Sequence, residues 1–148
     1  MRWYPAPMRG LATSLLLGLT LAGFAPAPAS AMSGDEAIGA AERWLDLVDR
    51  ERYRLSWEAA GHVLKDEVSK EEWVQTVGAT RLHRGIVLAR RLAESETTEA
   101  VAGLPPGEYV LVSFETAFRE TGDSVESLIL AHEGEGWKVV AYFVRSSP

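Results

Sequence analysis

The sequence predicts an α+β domain. About three amino-terminal helices pack on one face of a curved, roughly four-stranded antiparallel meander with a cone-like outline. Three observations predict it. Gly107 to Arg145 holds three runs rich in aromatic and β-branched residues, separated by glycine-bearing polar breaks. Upstream, apolar residues recur at three- and four-residue spacings behind helix-opening signatures. No repeat and no linker interrupts residues 32–148, so the elements follow one another through short connections.

Ser33-Gly34-Asp35-Glu36 reads as a capping box, a hydroxyl with a carboxylate three residues on. Behind it Ala37, Ile38, Ala41, Trp44, Leu45 and Val48 form one helical stripe. Asp49-Arg50-Glu51 is a polar turn. A second helix carries Tyr53, Ser56, Trp57 and Ala60 and ends at Gly61. Ser69-Lys70-Glu71-Glu72 is another capping box, opening a third helix with Trp73, Val74 and Val77. Arg81, His83 and Arg84 suit the negative dipole of its last turn, and Gly85 suits the position after it.

The first strand is expected from Ile86 to about Val101. Neither of its faces is cleanly apolar, which predicts a long, bent or edge strand. Gly103-Leu104-Pro105-Pro106-Gly107 is a turn, since two prolines cannot donate to a ladder. In the second strand Val110, Val112, Phe114, Thr116 and Phe118 share the face expected to meet the core. Thr121-Gly122-Asp123-Ser124 and Glu133-Gly134-Glu135-Gly136 are the remaining turns. The latter sets His132 opposite Trp137, Leu130 opposite Val139 and Leu128 opposite Ala141. On that register Leu128, Leu130, Trp137, Val139 and Phe143 face one way, and Val125, Ile129, Val140, Tyr142 and Val144 the other.

Ahead of the domain, Arg2 and Arg9 precede an uncharged apolar run from Leu11 to Phe24. Small residues at Ala29 and Ala31 then fit signal-peptidase cleavage after Ala31. The apolar run is short for a membrane span, which needs roughly 20 residues. Residues 1–31 are therefore expected to be a cleaved signal peptide and 32–148 a single exported domain, periplasmic or secreted. Its 117 residues carry 13 Lys and Arg against 21 Asp and Glu, net −8. That balance argues against nucleic acid and against an anionic membrane surface after cleavage. The chain has no cysteine, which excludes disulfides, thiolate metal ligands, cysteine nucleophiles and a lipidated cysteine.

The pattern Ala41-x-x-Trp44-Leu45-x-Leu47-Val48-Asp49, Tyr53-x-x-Ser56-Trp57-x-x-Ala60 and Trp73 resembles secreted bacterial proteins of domain-of-unknown-function family 4019. So do Arg91-Leu92, Leu104-Pro105-x-Gly107-Glu108-Tyr109, Phe114-x-Thr116-x-Phe118, Glu126-x-Leu128 and Gly136-Trp137-Lys138-Val139-x-x-Tyr142-x-x-Arg145. The resemblance covers nearly all of 32–148. It implies a domain without established activity and a nuclear-transport-factor-two-like (cystatin-like) α+β fold. Isomerases, dehydratases, hydrolases and non-enzymatic modules share that fold, so it licenses no reaction by itself.

A cone of this kind offers an aromatic-lined pocket at its open end. Trp44, Tyr53, Trp57, Trp73, Trp137 and Tyr142 are its candidate walls. Asp46, Asp49, Glu115, His132, Arg90 and Arg91 are its candidate polar groups. Each has a plainer role: tryptophans at helical spacing as core, Asp46 and Asp49 as a solvated helix end, Glu115 and Arg91 as cross-strand ion-pair partners, His132 packed on Trp137. His132-Glu133 lacks the second histidine of a zinc motif, since position 136 is Gly136. Gly134-x-Gly136 precedes a strand, not a phosphate-binding helix, and there is no Gly-x-Ser-x-Gly. No metal and no cofactor is expected. Two readings stay open: a non-enzymatic envelope module binding a small apolar ligand or a protein, and an isomerase, dehydratase or hydrolase using a carboxylate or histidine base. Helices cover one sheet face only, so the other, if bare, is expected to meet a second copy in a homodimer.

Overall fold

The computed structural model describes residues 29–147. Four helices precede four strands: α1 (Ala29–Asp49), α2 (Tyr53–Ala59), α3 (His62–Glu67), α4 (Lys70–Arg84), β1 (Val87–Thr98), β2 (Tyr109–Phe118), β3 (Gly122–Glu133) and β4 (Gly136–Ser146). The strands form one unclosed antiparallel meander in the order β1-β2-β3-β4. The cleavage expectation falls on residues 1–28, outside the described residues, and on the first turn of α1. Among the described residues no helix is long and apolar enough to cross a membrane.

The stripe on α1 behaves as its spacing demands. Ala37, Ala41, Leu45 and Val48 are wholly buried, and Trp44 nearly so. The capping box expected at Ser33 does not open the helix, which begins at Ala29. Ala29-Ser30-Ala31-Met32 is a run that sustains a helix once Pro28 has been passed. Glu51, left-handed at φ 59°, closes the turn between α1 and α2.

The helix count is four because α3 was hidden between Gly61 and Ser69. Ala60 and Gly61 are extended, which breaks the chain between α2 and α3. Glu133, at the end of β3, accepts the amide of His62 at 3.1 Å and so serves as a cap borrowed from another element. Gly61 donates its own amide to the Val139 carbonyl at 2.8 Å, fixing this break to the edge of β4. In α4 the Ser69 hydroxyl receives the Glu72 amide while the Glu72 carboxylate receives the Ser69 amide. Gly85 follows at φ 75°, a conformation a side chain would strain.

In β2, Val110, Val112, Phe114, Thr116 and Phe118 are all buried against the helices. β1 is the long edge strand expected, with register breaks between Val87 and Ala89 and between Leu92 and Glu94. The β2–β3 turn is shorter than expected. Phe118 pairs with Gly122 and Ala117 with Asp123, so Asp123 and Ser124 already belong to β3.

The β3–β4 register is the expected one from His132/Trp137 to Leu130/Val139, and then it breaks. A bulge at Val140 places Leu128 opposite Tyr142, not Ala141. One extra residue reverses the pleat. Tyr142 and Val144 therefore turn toward the helices, opposite Leu128 and Glu126, while Phe143 turns outward and is 59 % exposed. The main core joins α1, α2, α3 and α4 to the inner sheet face around Trp44, Trp73, Phe114, Leu128 and Val139. A smaller cluster on the outer face groups Tyr109, Ala131 and Val140 with Val101 and Leu104 of the β1–β2 loop.

Candidate functional site

The inner sheet face carries a charged cluster where its apolar pattern would suggest more core. Strand parity puts Thr116 beside Phe114 and Glu126 beside Leu128, so both point toward the helices. Helical spacing puts Arg81 on the same face of α4 as Trp73 and Val77. The first bulge of β1 brings Arg90 opposite Thr116. Asp49 ends α1, and the β4 bulge delivers Tyr142.

Four of these side chains, Thr116, Arg81, Arg90 and Tyr142, converge on Glu126, whose exposure is zero. Its Oε1 accepts Tyr142 Oη at 2.6 Å and Arg81 Nη1 at 3.0 Å. Its Oε2 accepts Thr116 Oγ1 at 2.6 Å and Arg90 Nε at 2.7 Å. Asp49 closes the cluster from the solvent side, its side chain a quarter exposed. It accepts Arg90 Nη1 at 2.6 Å and Nη2 at 3.0 Å, and a further bond from Arg81 Nη2. Two guanidinium groups thus balance two carboxylates, which is the condition for burying charge.

Aromatic rings pack round this cluster. Trp44 lies 5.3 Å from Tyr142 and 5.7 Å from Trp73, centroid to centroid. Arg81 Cζ sits 4.9 Å from the Phe118 ring. Ser56, fully buried, accepts Trp73 Nε1 on its hydroxyl at 3.0 Å and Trp44 Nε1 on its carbonyl at 2.8 Å. Burial, and then the neighbouring Glu126 charge, push the Tyr142 phenol far above its ordinary value. For Arg90, burial pulls downward, but the bonds to Asp49 and the charge of Glu126 outweigh it and the guanidinium is held still more firmly protonated.

Of the residues singled out from sequence, Asp49, Arg90, Trp44, Trp73 and Tyr142 meet here. The others do not. Asp46 is exposed and pairs with Arg50 at 2.9 Å. Glu115 and Arg91 form a cross-strand ion pair on the outer face, beside a depression of about 510 Å³. His132 lies edge-on to Trp137, centroids 5.2 Å apart. Trp57 is half-buried, with the ammonium groups of Lys65 and Lys70 over its ring. Tyr53 borders a separate surface groove of about 360 Å³. Trp44 and Trp137 border a cleft of about 180 Å³ between α1 and β4.

Arg81, Glu126 and Thr116 are the partners sequence reasoning missed. Their signal was parity: a carboxylate in step with Leu128 and Leu130, and an arginine in step with Trp73 and Val77.

Chemically, the cluster is a tie and not a reactive centre. A carboxylate offers about four acceptor positions, and Glu126 has four donors on it. A general base needs a lone pair within reach of substrate. Among the described residues no group of three or more His, Asp or Glu is placed to hold a metal ion.

One family model, described as "Protein of unknown function (DUF4019)", matches residues 40–142. No curated protein matches the chain.

Proposed function

The chain belongs to the DUF4019 family, a membership that brings no activity with it, and we propose that it is a non-enzymatic binding module of the cell envelope. It is exported through the signal segment 1–31 and acts in the periplasm or outside the cell. Its α+β arrangement is of the nuclear-transport-factor-two-like kind, with the sheet curling as a partial cone. It works through its surface, toward a small apolar ligand or an envelope protein, and the partner its outer sheet face fits best is a second copy of itself.

The observation that carries this reading is where the apolar surface lies. The interior between helices and sheet is occupied by Trp44, Trp73, Phe114, Tyr142 and the Glu126 cluster. The outer face keeps Phe143 exposed beside the partly buried Leu111, Val125, Ile129 and Ala141. The β1–β2 loop covers only the end of that face near Tyr109 and Ala131. An enzyme of the isomerase, dehydratase or hydrolase type would need a carboxylate or histidine facing a substrate cavity. Glu126 is sealed, Glu115 lines the open depression of about 510 Å³ but is tied to Arg91, and His132 lies at the surface against Trp137.

Light scattering on the purified protein at about 10 μM tests the pairing, a concentration that a specific interface of about 800 Å² per partner withstands. The expected mass is that of a dimer, and Phe143→Glu is expected to give a folded monomer with unchanged far-ultraviolet circular dichroism and a melting temperature that no longer depends on protein concentration. A monomeric wild-type protein at that concentration overturns the reading. Amino-terminal sequencing of exported protein is expected to begin at Met32, and an intact Met1 in that fraction would refute processing.

A further inference from the structure

The outer sheet face carries both a hollow and a ring that fills nothing. The hollow is the depression of about 510 Å³, floored by Ala89 and Ala117 and rimmed by Arg91, Glu115, Asp123 and Ser147. Ala89 lies directly opposite Ala117, so two neighbouring strands both stop at Cβ in the same row. The ring is Phe143 on β4, 59 % exposed. Two charges on this face are also unmatched. Arg145 and Asp123 are exposed, and neither enters an ion pair among the described residues. Glu115, by contrast, is held by Arg91.

The ladders fix where these groups stand. Arg145 is opposite Val125, Phe143 opposite Ser127, and Ala117 opposite Asp123. Residues sharing a face are about 4.8 Å apart across strands and about 7 Å apart along them. Seen from Val125, Arg145 is one step across toward β4, and Phe143 is one step across and one along. Asp123 is one step along in the opposite sense, and the two alanines lie in that same row toward β1.

A two-fold axis between two stacked copies, running diagonally over Val125, exchanges these sets. It turns a step across the strands into a step along them, reversed in sense. Arg145 of each copy then meets Asp123 of the other. Phe143 of each enters the other's hollow between Ala89 and Ala117, and Glu115 falls over Ser127, a hydroxyl and not a second carboxylate. The strands of the two sheets cross at about 90°, one of the two angles at which sheets pack face to face.

We infer that the occupant of the hollow is Phe143 of a second copy, held there by reciprocal Arg145–Asp123 pairs about a two-fold axis at Val125. This contact rests on the pairing proposed above and adds where the two copies meet.

A charge exchange tests it, read by light scattering at about 10 μM. Asp123→Arg sets two guanidinium groups against each other at both symmetric contacts, and Arg145→Asp sets two carboxylates there. Each variant alone is expected to weaken pairing at least about a hundredfold. Each is expected to run as a monomer with unchanged circular dichroism, since both positions are exposed. Mixed one to one, the two variants again face opposite charges at both contacts and are expected to pair within about tenfold of the wild-type affinity. Ala117→Trp, which fills the hollow, is expected to weaken pairing at least about tenfold. If the wild type is a dimer but a single variant still pairs, the mixture stays monomeric, or Ala117→Trp pairs normally, this contact is overturned and the pairing itself stands. A wild-type monomer overturns both.

Discussion

Glu126→Gln is the most informative single change in this fold. The side chain keeps its shape, but one oxygen that accepts two donors becomes an amide nitrogen that can only donate. Whichever way the amide turns, it faces the guanidinium of Arg81 or of Arg90 across a donor–donor contact, and the Tyr142 or Thr116 hydroxyl beside it has to turn from donor to acceptor. The cluster also changes from neutral to one net positive charge, around an Arg81 side chain only 5 % exposed. Breaking one partner of a buried ion pair in this way costs about 3–5 kcal/mol. Against a total stability of about 5–15 kcal/mol, that removes a large fraction. For a domain of this size it corresponds to a fall in melting temperature of roughly 10–20 °C. Denaturant unfolding followed by tryptophan fluorescence measures it directly, since Trp44 and Trp73 pack on Tyr142. The pair Arg81→Met and Glu126→Leu completes the test. Each alone is expected to be strongly destabilising, and together they are expected to be less so than their sum, by about 0.5–3 kcal/mol. A cost below about 1 kcal/mol for Glu126→Gln, or strict additivity of the pair, would refute the view that this cluster ties sheet to helices.

Two further changes probe neighbouring features. The Tyr142 phenol is raised above its ordinary 10.0 by burial and by Glu126, so the folded state holds a proton that the unfolded state releases in alkali. Its contribution is complete below about pH 10 and is lost as pH climbs beyond, by up to about 1.4 kcal/mol per pH unit. Tyr142→Phe is therefore expected to flatten the alkaline decline in urea stability, leaving the smaller part due to Tyr53, raised by its own burial and by Glu51. An unchanged slope would contradict this. Gly61→Ala is expected to cost about 1–3 kcal/mol, because its Cβ would stand 2.6 Å from Glu133 Oε1 and 2.7 Å from Val140 Cγ1. Glu133 cannot simply swing aside while it caps His62, so a neutral result in chemical denaturation would show that this cap is dispensable.

What was legible in the sequence followed from period and punctuation. The inner face of β2 was readable because five alternate positions are apolar or Thr, and α4 because a capping box opens it and Gly85 closes it. The hairpin at Gly134 was readable because a glycine there can take φ 60°. The bulge at Val140 was not readable, since nothing in Trp-Lys-Val-Val-Ala-Tyr-Phe-Val marks where the pleat slips. Its consequence was to exchange Tyr142 with Phe143 between the two faces. The pairing of Glu126 with Arg81 was not readable for a related reason. A charged residue in an apolar stripe reads as an irregularity until its counter-charge is located, and that partner is 45 positions away. α3 went unseen because its cap comes from Glu133, 71 residues downstream.

The open sheet ends on two unlike margins. Along β4, the amide of Gly61 already occupies the Val139 carbonyl, and the α2–α3 corner sits across that rim. Along β1, two kinks interrupt the outermost backbone. Growth of a continuous fibre by lateral strand stacking requires each molecule to offer two receptive borders, one to the molecule before it and one to the molecule after. Here the β4 border is met at Val139 by the protein's own chain and the β1 border is kinked, so both margins are poorer templates for such growth than two straight, free strands would be.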